Sequence, residues 1–216
     1  TDTYRFDLVN VARQVLSNHA ATLHRKIVDA RQSGDREAFE LAANNFLQLM
    51  QELDELLATR SEFLLGRWLE DAKRWGTTDA ERARFEWNAR RVLTLWGTGQ
   101  AIRDYARKEW SGMIDGFYRP RWEWYLREEG EALAEDRPFD ADAFAEQLRQ
   151  WEDAWADRRE SYATEPEGDS VAVAAALWTK YADAFQPDTP SLTTGKPSTC
   201  SSSLPGHAAR LANDGF

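Results

Sequence analysis

Apolar residues return every three or four positions along most of the chain, the spacing of amphipathic helices. Leu8, Val11, Val15, His19, Leu23 and Ile27 make one stripe, which RQSGD ends at Gly34. A second runs through Phe39, Ala42, Phe46, Leu49, Leu53 and Leu56, with Asp35 placed to cap the free N–H groups of its first turn. Phe63, Trp68, Leu69, Ala72 and Trp75 predict a shorter third helix, with Gly76 as its left-handed C′ residue. Thr78 and Glu81 have capping-box spacing ahead of a fourth stripe, Phe85, Ala89, Val92, Leu93 and Trp96, that ends at Gly97.

Two glycines, Gly97 and Gly99, then interrupt the pattern, and large rings crowd the break in LTLWGTGQAIRDYARKEW. A fifth helix is predicted from Ile102, Tyr105, Ala106, Met113, Ile114 and Phe117. Pro120 in YRPRWEWYL either kinks it or begins a sixth. Asp140 reads as the N-cap of a helix carrying Phe144, Leu148, Trp151 and Trp155. GDSVAVAAALWTKYADAF forms the last helix, stopped by Pro187. No useful strand-like alternation appears. The pattern predicts an all-α fold, a helical bundle of about seven to eight helices with a non-helical C-terminal tail.

The tail is set off by composition. Residues 1–186 are helical in pattern, whereas 187–216 are rich in Ser, Thr, Pro and Gly and read as a linker or disordered segment. Its last residues, HAARLANDGF, include an Asp-Gly turn signal that fits the cut-off start of a folded domain. The chain begins without Met and inside an amphipathic pattern, so a piece of a longer polypeptide is expected.

With 216 residues, 42% hydrophobic and 12% aromatic, the chain can bury one sizeable core. A formal charge of -10 argues against nucleic acid as a partner. Cys200 is the single cysteine, so neither an intrachain disulfide nor a cysteine-based zinc site can form. His19 and His24 are five residues apart, about 140° around a helix, and do not make an i, i+4 metal pair. No metal and no cofactor are expected, and no run approaches the ~20 apolar residues of a membrane span.

No catalytic group is named by the sequence. GxSxG, HExxH, Walker and GxGxxG motifs are absent, and the GTG at Gly97–Gly99 follows a helix rather than a strand. Glu70, Asp71, Glu86, Asp104 and Glu109 lie near aromatics, yet they read first as solvated faces and ion pairs. The ten tryptophans carry more information. Rings with a polar tip suit sugar faces as well as cores, and Trp96 and Tyr105 flank the glycine break, where backbone can approach a ligand closely.

At these residues the chain resembles a known family. RFDLVNVARQVLSN, LDELLATRSEFLLGRWLEDA, FEWNARRVLTLWG, IRDYARKEWSGMIDGFYRPRW and EGDSVAVAAAL, over roughly residues 4 to 185, are similar to the C-terminal helical domain of the alpha-N-acetylglucosaminidases, glycoside hydrolase family 89. The resemblance implies that two catalytic glutamates of a retaining mechanism lie in an upstream barrel domain of the same polypeptide, so this chain alone should not hydrolyse a glycoside. It implies that the helical domain packs on that barrel and closes one side of the pocket for terminal alpha-linked N-acetylglucosamine. The implied substrate-binding residues are Trp96, Ile102 and Tyr105, with no catalytic residue in this chain. The sequence departs from the family in reading TGQA between Gly97 and Ile102, where many relatives carry P-x-G.

SLTTGKPSTCSSSLPGHAARLANDG is similar to the opening of discoidin-like (coagulation factor 5/8 type C) carbohydrate-binding modules. That second resemblance implies a truncated β-sandwich and a secreted or otherwise extracytoplasmic parent protein. The alternative from a different class is a stand-alone helical carbohydrate-binding or protein-interaction domain without hydrolase activity, its rings all in the core.

Overall fold

The computed structural model describes residues 1–96, 104 and 106–185. Among them are seven α-helices and no strand: α1 (Asp2–Ser33), α2 (Arg36–Ala58), α3 (Leu65–Lys73), α4 (Asp79–Leu93), α5 (Arg119–Ala134), α6 (Ala141–Asp157) and α7 (Ser170–Lys180). The predicted all-α bundle is the observed one.

Helix ends follow local chemistry. Gly34 takes the left-handed conformation, φ 72°, that closes α1, and the Asp35 side chain accepts the Ala38 N–H to start α2. Thr78 and Glu81 form the reciprocal capping box of α4, and Asp140 caps α6 through the Ala143 N–H. Asp169 caps α7 by accepting from Val171 and Ala172, an N-cap that the stripes alone did not single out.

Several expectations are corrected. The buried line of α1 is Val9, Ala12, Leu16, Leu23 and Ile27, while Val11 faces outward, because α1 is covered by α2 and α7 together rather than along one stripe. Helix α3 buries Leu65 and Leu69 but leaves Trp68 and Trp75 exposed. Gly76 is not left-handed. A Cβ there would lie 2.5 Å from the backbone nitrogen of Arg82, so glycine is needed for the close approach of α4's first turn. On α4, Ala89 and Leu93 of the predicted stripe are buried, but Phe85 and Val92 are exposed and Glu86, Arg90 and Arg91 are buried beside the first two, with Trp155 and Tyr162 covering the guanidinium of Arg90. Helix α4 ends at Leu93, before Gly97.

The predicted fifth helix is formed only in its last part among the described residues. Residues 107–110 are irregular and Ser111 bridges to Leu64, whereas helix begins at Met113 and passes through a π-helical turn, Ile114–Tyr118, straight into α5 with Pro120 in its first turn. Asp54 of α2 explains the change. Its carboxylate accepts from the Ser111 hydroxyl at 2.9 Å and from the backbone N–H groups of Gly112 and Asp115 at 2.8 and 3.0 Å, capping the turn from outside. Burial pushes the Asp54 carboxyl above its ordinary value against those hydrogen bonds.

Two clusters make the core. One joins α1, α2, α5 and α7 around Leu16, Leu49, Leu56 and Leu57; the other joins α3, α4 and α6 around Leu65, Leu93, Phe117 and Trp155. Each such side chain contributes roughly 1.5–3 kcal/mol by leaving water. Tyr118 packs against both clusters and marks their seam.

Candidate functional site

The predicted site residues follow α4 along the chain. Trp96 is described, and Ile102 and Tyr105 lie outside the described residues, as does the glycine pair. Trp96 is 46% exposed and has φ 56°, a left-handed backbone that a bulky residue rarely adopts. Its N–H donates to the Arg91 carbonyl at 2.7 Å, which turns the chain sharply away from the helix axis. About half of the residue's surface is thereby left accessible.

The far end of the loop returns to its start. The Asp104 N–H donates to the Thr94 carbonyl at 2.7 Å, and Asp104 too is left-handed, φ 55°. Both oxygens of its carboxylate accept from Arg121, from Nη1 at 3.0 Å and Nη2 at 2.9 Å, a fork-to-fork pair. Nε of Arg121 lies 3.1 Å from Oε1 of Glu152, a buried carboxylate on α6, and the guanidinium stands over the Phe117 ring at 4.8 Å. This chain from Glu152 through Arg121 to Asp104 was not visible in the sequence. Its members are 17 and 31 residues apart and no local spacing links them.

Beside the loop's neck a cleft of about 790 Å³ opens between α1, α2, α5 and α6, lined by His24, Tyr118, Arg121, Trp122, Tyr125 and Phe144 among others. Its volume is that of small-molecule sites. The Trp122 ring meets His24 and Phe46 edge-on at 5.5 and 5.0 Å. The Tyr118 hydroxyl is buried without a hydrogen-bond partner, and burial, reinforced by the charge of Asp104, pushes its pKa well above the usual phenol value. His19 packs on Tyr181, and burial, with the charge of Lys26 added, holds its imidazole below the ordinary pKa.

Each carboxylate singled out in the sequence is engaged by a cation. Glu70 pairs with Lys73, Asp71 with Arg74 at 2.8 Å, Glu86 with Arg90 at 2.9 Å, Asp104 with Arg121 and Glu109 with Arg13. The ion-pair reading holds for all five, and the solvated one fails for Glu86, which is buried. Among the described residues no group of three or more His, Cys, Asp or Glu side chains could hold a metal ion, and no helix is long and apolar enough to cross a membrane.

The bundle has known counterparts. The family model described as Alpha-N-acetylglucosaminidase (NAGLU) C-terminal domain matches residues 1–180. The Alpha-N-acetylglucosaminidase of Homo sapiens is 34% identical over 180 residues, covering 82% of this chain and 24% of its own length. Two solved structures of a family 89 glycoside hydrolase from Clostridium perfringens, in complex with 2-acetamido-1,2-dideoxynojirmycin and with PUGNAc, match at a TM-score of 0.74 and 28% identity, over 83% of this chain and 21% of theirs. The chain thus spans under a quarter of the length of these relatives. Sequence match and helical architecture agree: the chain belongs to the family of alpha-N-acetylglucosaminidase C-terminal domains.

Proposed function

We propose that this helical domain is the non-catalytic part of an exo-acting, retaining alpha-N-acetylglucosaminidase. In this reading it packs against a catalytic barrel domain of the same polypeptide and forms one wall of the pocket for terminal alpha-linked N-acetylglucosamine. Trp96 supplies a ring against the sugar, Ile102 and Tyr105 complete the wall, and the catalytic acids lie outside this chain. The observation that carries the reading is Trp96 itself, a half-exposed ring on a strained turn at the end of α4, inside the segment that the family model matches. Exposed Phe85 and Val92 on the outer face of α4, with Trp68 and Trp75 of the α3 region also uncovered, supply the apolar surface that a docked domain would bury. The clostridial relative's complex with 2-acetamido-1,2-dideoxynojirmycin, an acetamido iminosugar, supports an N-acetylglucosamine-like ligand.

Residues 187–216 lie outside the described residues. Their likeness to discoidin-like modules extends the proposal to a carbohydrate-binding module that follows the helical domain in a secreted protein.

The test is kinetic. The full-length polypeptide should release N-acetylglucosamine from an aryl alpha-N-acetylglucosaminide, and this chain alone should release none. In the full-length protein Trp96→Ala should cost on the order of 2–4 kcal/mol in kcat/KM, the scale of a lost buried aromatic contact. A folded variant with wild-type kcat/KM would remove Trp96 from the site.

A further inference from the structure

Trp96 and Asp104 meet at a neck: the Asp104 N–H donates to the Thr94 carbonyl, two residues before Trp96, and the Arg121 guanidinium holds the Asp104 carboxylate. Asp104 pays for a left-handed backbone, so something beyond local preference keeps it there. The bidentate Arg121 pair fixes the carboxylate in both distance and plane, which a single hydrogen bond would not do. Arg121 is in turn fixed. Its Nε is beside Glu152, 1% exposed on α6, its face lies on Phe117, and its Cα is in the first turn of α5. Two helices are thereby tied through one guanidinium to the point where the loop returns. Taking a carboxylate such as Glu152 out of water is costly and calls for close cationic and hydrogen-bonding partners, of which the Arg121 guanidinium at 3.1 Å is one.

We propose that Glu152, Arg121 and Asp104 form a positioning chain that fixes the Trp96 wall for the sugar, with Arg121 and Asp104 as positioning residues of the glycosidase site. The inference rests on the reading that Trp96 faces the substrate. None of the three touches the sugar; they act by holding the neck so that the ring is in place before substrate arrives. Pre-organisation of this kind removes an ordering cost from binding.

Asp104→Asn and Arg121→Lys, each alone and combined with Trp96→Ala, test this in the full-length polypeptide. The readouts are kcat and KM on an aryl alpha-N-acetylglucosaminide, Kd for 2-acetamido-1,2-dideoxynojirmycin, and Tm. Each single variant should raise KM and Kd about tenfold with kcat changed less than about threefold, because ground-state sugar contacts are lost and the acids are untouched. In the Trp96→Ala background the same changes should have under about twofold further effect, since the wall they position is gone. Arg36→Gln, which breaks an exposed pair with Glu40, serves as a control and should change neither constant.

Effects that multiply in full with Trp96→Ala, or a lower Tm with unchanged KM and Kd, would overturn the proposal and leave the chain of charges as a brace for the fold. If Arg121→Lys does not fold, Asp104→Asn decides alone, because Asp104 lies at the rim with 32% of its side chain exposed. A wild-type protein without activity or inhibitor binding overturns the hydrolase reading and this one with it. Activity that survives Trp96→Ala intact overturns the wall and, with it, the device that sets it.

Discussion

Arg90 is wholly buried between the rings of Trp155 and Tyr162, at 4.9 and 5.4 Å, with Nε and Nη2 on Glu86 Oε1 and Nη2 also on the Glu160 carbonyl. A buried pair is worth little over an apolar replacement, yet breaking it leaves a charge stranded. Arg90→Met should therefore cost about 3–5 kcal/mol in urea unfolding, and the double variant Glu86→Leu with Arg90→Met should recover most of that loss. Additive losses in the two single variants and the double would contradict this. The pairing of Glu86 with Arg90 was legible as an i, i+4 spacing. Its burial was not, because the two rings that enclose Arg90 come from 65 and 72 positions further along. Trp96 was singled out by the same logic reversed, since an adjacent glycine break and a crowd of rings are local facts; its half-exposure in the structure is what the proposal builds on.

Helix starts were the most readable elements, since an N-cap needs only a side chain and a backbone N–H two or three residues away. Asp35, Thr78 with Glu81, and Asp140 all cap where the sequence placed them. Asp35→Ala should cost about 1 kcal/mol, read as a lower urea midpoint at unchanged m-value. The fifth helix starts later than its pattern suggests for the complementary reason. Its pattern is helical from Ile102, but Asp54, 57 residues upstream of Ser111, accepts the Ser111 hydroxyl and the Gly112 and Asp115 N–H groups at the point where helix begins. Gly112, at φ 81°, is where that late start shows in the backbone. Gly66 tells the same story of distance. A Cβ there would stand 2.3 Å from the carbonyl of Ala163, a neighbour no window of the sequence could name.

On the scale of the whole molecule, the two core clusters account for most large apolar side chains, and those left over are not scattered at random. Phe85 and Val92 repeat seven residues apart on α4, Tyr4 and Val11 on α1, and Val171 and Trp178 on α7, each pair on one helical face, while Trp75 is 80% exposed. Repeated exposed faces of this kind fit a domain that is covered in its parent polypeptide, which agrees with a chain that spans under a quarter of its relatives' length. Composition could exclude nucleic acid and cysteine-based metal sites, and periodicity could give the bundle. Neither could say which outer face would be covered, because the pattern of one chain carries no record of what docks on it.

The most direct measurement is a crystal structure of the full-length polypeptide with 2-acetamido-1,2-dideoxynojirmycin bound. Atoms of the Trp96 ring within about 4.5 Å of the ligand, with Asp104 still bidentate on Arg121, is the predicted result. A ligand enclosed wholly by the other domain, with Trp96 facing solvent or an unrelated interface, would contradict the claim that this bundle forms a wall of the sugar pocket.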